Sequence, residues 1–370
     1  LNFLPPAERS LSFVIKAMTA NRVTLFWATR REWPMARMAR RLQLWGWIIR
    51  RQASVAGMTE AEVIALQSRP VPSNFVFDWL FGTVAPGIEV SDRSIPGPGG
   101  DIPIRVYRPA GAAAAARPLV LYFHGGGFVF GELRLGDWLC SQVAATVDTV
   151  VVAVAYRLAP TYRFPAAVDD CYAALTWAAA NAAELGAGGP MGVMGESAGG
   201  NLSAAMCLLA RDMGGPALAH QTLIYPATDM TEVAQSASAA ANADAPFLST
   251  AEIAAYRRLY LGPDGDENAA SPSASPLLAA DHGGLPPALI QVAEHDPLHD
   301  DGTQYAAALR AAGVSVRLTE YVGMPHGFLN IPGLSRSAPQ ALAELCAEQS
   351  AAFTAFLATG ARQEAAEPSG

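Results

Sequence analysis

Two glycine-rich phrases hold the residue types most able to do chemistry: His124-Gly125-Gly126-Gly127-Phe128 and Gly195-Glu196-Ser197-Ala198-Gly199-Gly200. Each follows a short strand-type run, Leu119 to Phe123 before the first and Met191 to Met194 before the second. A serine hydroxyl is a weak nucleophile until a base lies within hydrogen-bond reach and the backbone presents it. The G-x-S-x-G form supplies the presentation, because it puts the serine on a sharp strand-to-helix turn where flanking side chains would collide with the backbone. The first phrase can turn bare N–H groups toward a developing oxyanion. Together the two predict acyl transfer through Ser197. The expected oxyanion donors are the N–H of Ala198 and two drawn from Gly125, Gly126 and Gly127. Ala198 also begins a helix, whose N-terminal dipole adds to the positive field there.

A base and an acid follow in workable order. Leu289 to Ala293 reads as a buried strand running into Glu294-His295-Asp296-Pro297-Leu298, and the segment Val314 to Tyr321 runs into Gly323-Met324-Pro325-His326-Gly327-Phe328. Imidazole accepts and returns a proton near neutrality. Of six histidines, His326 alone follows the last strand. His124 belongs to the glycine loop and is expected to hold it by hydrogen bonds. Asp296, just past its strand, is the expected partner of His326, with Glu294, Asp300 and Asp301 as nearby rivals. The order Ser, Asp, His is that of α/β-hydrolases.

Six phrases then stand in a recognisable series: HGGGF at 124–128, YRLAP at 156–160, FPAAVDD at 164–170, GESAGG at 195–200, DPL at 296–298 and HGF at 326–328. Over roughly residues 85–358 the chain resembles the hormone-sensitive-lipase-like branch of α/β-hydrolases, the bacterial family IV carboxylesterases. The resemblance implies a carboxylic ester hydrolase acting on short- to medium-chain acyl esters through a Ser197–His326–Asp296 triad. It favours Gly126 and Gly127 among the loop glycines. A long-chain lipase or an amidase is the alternative activity, and a catalytically silent small-molecule receptor the alternative of another class. Two positions depart from the pattern. Glu196 stands where many relatives have Asp or Thr, and is expected to support neighbouring loop groups rather than react. Thr161-Tyr162-Arg163 replaces a usual Glu-His, which alters local salt bridges and not the triad.

The elements that must position these residues are legible as a β/α alternation. Strands are expected near 88–94, 102–108, 119–123, 149–155, 191–195, 220–225, 288–293 and 314–321, with helix-length stretches such as 165–184 and 198–213 between them. Long crossovers from the third strand onward predict an α/β fold, a mostly parallel eight-stranded sheet flanked by helices. Residues 227–284 interrupt the alternation, and the family resemblance implies that they build a helical cap together with the N-terminal helices. The division expected is an N-terminal cap or arm at 1–84, a catalytic domain at 85–358 and a disordered tail at 359–370. Capping boxes at Thr59-Glu60-Ala61-Glu62 and Ser249-Thr250-Ala251-Glu252 mark helix starts. Residues 8–31 and 35–52 read as amphipathic helices broken at Pro34, the second with Met38, Leu42, Trp45 and Ile49 on one face. The aromatic group Phe75, Phe77, Trp79, Leu80, Phe81 is expected either to pack the cap on the body or to line an acyl pocket.

Composition narrows the function classes. Hydrophobic residues make up 51% of 370, enough for a large core. No run of apolar residues is long enough to span a membrane. The four cysteines lack CxxC or His-pair spacing, so buried thiols are expected in place of a disulfide frame or zinc site, and neither metal nor organic cofactor is expected. No secretory signal is visible, which makes the cytoplasm the default expectation. Residues 1–52 carry ten Lys and Arg against Glu8 and Glu32, in a chain of net charge −8. Such an arm could dock on the body or meet an anionic lipid surface, and a homodimer stays open. No nucleic-acid recognition module accompanies the basic residues.

Overall fold

The structure is a computed structural model describing residues 42–46, 54–111, 117–231 and 236–366. The capping box at Thr59 forms as expected: its hydroxyl accepts the Glu62 N–H, and the Glu62 carboxylate accepts the Thr59 N–H at 2.8 Å. It opens α1 (Glu60–Gln67). Asn74 caps α2 (Phe75–Phe81) by accepting two N–H groups. A hairpin of β1 (Ile88–Ile95) and β2 (Ile102–Pro109) precedes the alternation β3 (Leu119–Phe123), α3 (Asp137–Val147), β4 (Val150–Val154), α4 (Ala166–Ala180) and β5 (Met191–Glu196). The chain continues through α5 (Ala198–Asp212) and β6 (Leu218–Ile224) into three helices, α6 (Ala237–Ala241), α7 (Thr250–Leu261) and α8 (Gly265–Ala269). It closes with β7 (Ala288–His295), α9 (His299–Ala311), β8 (Val316–Pro325) and α10 (Ala338–Ala366).

The eight strands form one sheet in the order β1-β2-β4-β3-β5-β6-β7-β8. The β1–β2 and β2–β4 pairs are antiparallel and the others parallel. Every residue of β3, β4 and β5 is buried, as required of strands covered on both faces. The period of two sorts them. Leu121, Phe123 and Val152 enter a core with Leu175 of α4 and Leu202 of α5, while Val120, Tyr122 and Val151 enter a second core with Val143 of α3 and Leu345 of α10. Since β5, β7 and β8 run parallel, their C-terminal ends share one edge of the sheet, where α/β folds place their chemistry.

Three boundaries differ from the sequence reading. The last helix continues to Ala366 and so passes residue 358, where ordered structure was expected to end. Strand β8 starts at Val316, because Val314 N–H bonds to Leu309 O and closes the end of α9. It then runs on to Pro325, reaching His295 across an irregularity in the β7 pairing. The helices expected over 8–31 and 35–52 lie outside the described residues, except that residues 42–46 are helical. There Leu42 is buried against Leu80, Ala245, Ile331 and Leu334.

Candidate active site

Ser197 stands between β5 and α5 with φ 56° and ψ −116°, a backbone conformation rare for a residue with a side chain. The surroundings hold it there: its N–H donates to Ile224 O on β6 at 2.9 Å, and a Cβ on Gly199 would overlap the Phe123 carbonyl. Only a glycine lets the start of α5 approach β3 this closely. The hydroxyl is thereby presented beyond the sheet edge, 2.9 Å from Nε2 of His326. The other imidazole nitrogen, Nδ1, lies 2.7 Å from Oδ2 of Asp296. Asp296 is fully buried, and its second oxygen accepts the Leu298 N–H at 2.8 Å. That bond and the one to His326 occupy both carboxylate oxygens.

Each rival carboxylate is engaged elsewhere. Glu294 accepts the Gly323 N–H at 2.6 Å, Asp300 the Ser238 N–H at 2.8 Å, and Asp301 the N–H groups of Thr228 and Asp229 at 2.8 and 3.1 Å. Of these four, Asp296 is the one bonded to His326. Burial pushes the carboxyl of Asp301 up to about 7 against those donors. The competing histidines are likewise occupied: His220 faces Thr222 on β6, His282 faces Pro276 O, and His299 lies beside Asp300 and Glu320.

His124 and Glu196 brace the glycine loop. Burial pushes the His124 imidazole down to about 4, so it is neutral, and Nδ1 lies 2.8 Å from Gly125 O. Its ring stacks on Tyr156 at a centroid distance of 4.2 Å, and the Tyr156 hydroxyl donates to His124 O. Glu196 is buried with one oxygen receiving three donors: the Tyr122 hydroxyl at 2.7 Å, the Gly125 N–H at 2.9 Å and the Asn330 amide at 3.1 Å. This carboxyl ties together β3, the glycine loop and the turn after His326. Burial, opposed by those donors, pushes it up to about 7. The Gly125 N–H is therefore committed to Glu196 instead of facing the nucleophile. Gly127 adopts φ 63°, and a Cβ there would overlap the Tyr256 ring of α7, so the loop and α7 meet in contact that only glycine permits.

Ser197 and His326 open into a cavity of about 280 Å³. Its walls are mostly apolar: Phe130 and Leu135 beyond the glycine loop, Phe247, Leu248 and Ile253 from the insertion, and Leu298 after Asp296. No lysine or arginine lines it among the described residues. Sequence reasoning did not single out these lining residues, because an apolar side chain facing a cavity is chemically the same as one facing a core. It also missed Tyr225, whose backbone takes φ 35° and whose ring lies 4.7 Å from the imidazole of His326. The only sequence signal was an aromatic residue directly after a strand. The aromatic group at 75–81 does not line this cavity. Leu80 and Phe81 pack with Leu42 and Ile331, and Phe75 is 77% exposed. No cluster of three metal-ligating side chains occurs among the described residues, and no helix there is long and apolar enough to cross a membrane.

Known proteins share this architecture. Residues 120–330 match the family described by the alpha/beta hydrolase fold. The carboxylic ester hydrolase LipN of Mycobacterium tuberculosis is 47% identical over 66% of this chain and 65% of its own length, so the chain spans just under two thirds of that relative. Esterase LipI of the same organism is 44% identical over 70% of this chain and 80% of its own. Among solved structures, the thermostable carboxylesterase EstE1 from a metagenomic library superposes with a TM-score of 0.73 at 39% identity, covering 81% of this chain and 99% of that one. The chain belongs to the α/β-hydrolase family. Within it, the chain falls in the hormone-sensitive-lipase-like branch of carboxylesterases, as its motifs imply.

Proposed function

We propose that this protein hydrolyses uncharged carboxylic esters of short to medium chain length through an acyl-enzyme on Ser197. The observation that carries the reading is the continuous chain Asp296–His326–Ser197, with contacts of 2.7 and 2.9 Å, opening into an apolar cavity of about 280 Å³. In the first half-reaction Ser197 Oγ attacks the ester carbonyl and His326 Nε2 takes the hydroxyl proton. The tetrahedral oxyanion is met by the N–H groups of Gly126, Gly127 and Ala198, since that of Gly125 is engaged with Glu196. The intermediate collapses as His326 returns the proton to the leaving alkoxide, which departs as the alcohol. Water then enters, gives a proton to His326 and attacks the acyl carbon. Collapse releases the carboxylic acid and restores the Ser197 hydroxyl. Asp296 holds the imidazole with its Nδ1–H toward the carboxylate and stabilises the imidazolium.

Two features of the cavity support the substrate class. At about 280 Å³ it lies just below the usual range of ligand pockets, about 300–1,000 Å³. Its walls offer no cation for a substrate carboxylate. We assign the cap to the insertion around α7 together with the N-terminal arm, because Leu42 packs against Ala245 of the insertion and against Ile331 and Leu334 of the body. This contact favours docking of that face over insertion into a lipid surface. A p-nitrophenyl acetate assay with burst analysis tests the reading. The expected result is a burst stoichiometric with protein and abolished by a serine-directed phosphonate. Absence of turnover across a panel of neutral esters would overturn it.

A further inference from the structure

Phe130, Gly131 and Leu135 line two cavities at once. On one side is the space of about 280 Å³ holding Ser197 and His326; on the other is a chamber of about 360 Å³ walled by Leu66, Pro70, Val71 and Leu158. The outer chamber exists because α1 is pinned across the glycine loop. The Gln67 side-chain amide donates to Val129 O at 2.6 Å and Ala159 O at 2.7 Å, fixing the end of α1 one residue before Phe130. The Pro70-Val71-Pro72 stretch that follows lies outside regular secondary structure, and its Pro70 and Val71 add the far wall; Arg134 donates to Pro72 O at 3.1 Å and holds it. On the inner side, Phe130 meets the ring of Tyr256 edge-on at 6.3 Å. The partition is thus a thin layer of side chains braced by the cap, with free volume behind it.

Resting on the ester-hydrolase reading, we propose that Phe130 and Leu135 set the chain-length limit of this enzyme, and that the chamber behind them is a distal subsite for an alkyl chain of the ester. The chamber's Leu66, Pro70, Val71 and Leu158 match a hydrocarbon, and Gln67, Ser68, Arg69 and Glu132 complete its lining, the last three exposed where the chain end would meet water. Removing the Phe130 ring joins the two volumes. Each methylene that then leaves water for the apolar chamber adds about fourfold to binding, from about 0.8 kcal/mol per buried CH₂.

The test compares long with short chains on each side of the ester bond: p-nitrophenyl decanoate against acetate for the acyl side, decyl acetate against ethyl acetate for the alcohol side. In Phe130→Ala the long-to-short ratio of kcat/KM is expected to rise at least tenfold in one series, which identifies the chain that enters. Adding Val71→Trp, which fills the outer chamber, is expected to return the ratio to the parent's. Leu135→Ala gives the same reading if Phe130→Ala lowers the unfolding temperature too far for assay. An unchanged ratio in both series for both variants overturns the proposal, as does a raised ratio that survives Val71→Trp. Parent turnover of p-nitrophenyl acetate in the same assay reads the esterase assignment separately.

Discussion

Ser197 occupies a backbone conformation that costs about 1–3 kcal/mol, and the neighbouring backbone contacts hold it there. The strain has a chemical use, since a relaxed turn would fold the hydroxyl back toward the sheet. The remaining groups then act on one proton. Ser197→Ala is expected to lower kcat on p-nitrophenyl acetate by about 10⁴-fold or more, and His326→Ala nearly as much, with the double variant no worse than either alone. Asp296→Asn is expected to cost about 10⁴-fold by favouring the wrong imidazole tautomer, whereas Asp300→Asn, which alters a contact with Ser238, should cost far less. Steady-state kinetics on the four single variants checks this. A larger loss in Asp300→Asn than in Asp296→Asn would mean that the acid has been misplaced.

At the scale of elements, three parallel strand ends bring Ser197, Asp296 and His326 together, and Phe247, Leu248 and Ile253 of the insertion line the cavity they open into. Helix α7 of the insertion enters the main core through Ala255, Leu259, Tyr260 and Leu261, whereas residues 42–46 are held by the smaller patch joining Leu42 and Ala245 to Ile331 and Leu334. Elements secured this way come from the less stable part of a fold. Deleting residues 1–52 removes Leu42 and leaves the strand ends intact. The expected outcome is retained turnover of acetate esters with a shifted chain-length profile, measured on a p-nitrophenyl alkanoate series. An unaltered profile with intact activity would remove the arm from the cap.

For the whole molecule, burial controls both titration and thiol chemistry. Glu196 and Asp301 are each raised to about 7 by burial, from ordinary values of 4.5 and 3.8. A carboxyl raised in the folded state holds a proton that the unfolded chain has released. Stability from these groups is therefore complete below about pH 4 and falls as pH rises toward 7. For Glu196 the change is on the order of 3 kcal/mol. Between about pH 4 and 7 these two carboxyls lower the unfolding temperature as pH rises, while His124 and His220, pushed down to about 4 by burial, act the other way, so Glu196→Gln should make the slope over that range more positive than the parent's in a calorimetric series. An identical slope would show that Glu196 stays ionised when folded. The cysteines 140, 171, 207 and 346 are all buried and unpaired, and burial raises each thiol. A chromogenic disulfide reagent should find almost no reactive thiol in the native enzyme and four after denaturation.

Much of this molecule was legible in the order of its residues, and for local reasons. The alternation of buried strands with helix-length crossovers specifies a covered parallel sheet, because the backbone periods of 2 and 3.6 demand different apolar patterns. The capping boxes at Thr59 and Ser249, the sharp turn at Ser197 and the glycine loop each depend on contacts within a few residues. Parallel strands then place the ends of β5, β7 and β8 on one edge, so chain order alone indicated which histidine and which aspartate would follow the right strands. What depends on long-range packing was not legible. The single oxygen of Glu196 gathers Tyr122, Gly125 and Asn330, and so engages the Gly125 N–H, through contacts 71 to 134 residues apart. The imidazole of His326 rests against Tyr225, and the cavity wall at Phe130 and Leu135 backs onto a second chamber, for the same reason. An apolar side chain looks the same in a sequence whether it faces a core or a substrate. Only the packed chain decides which of them face empty space.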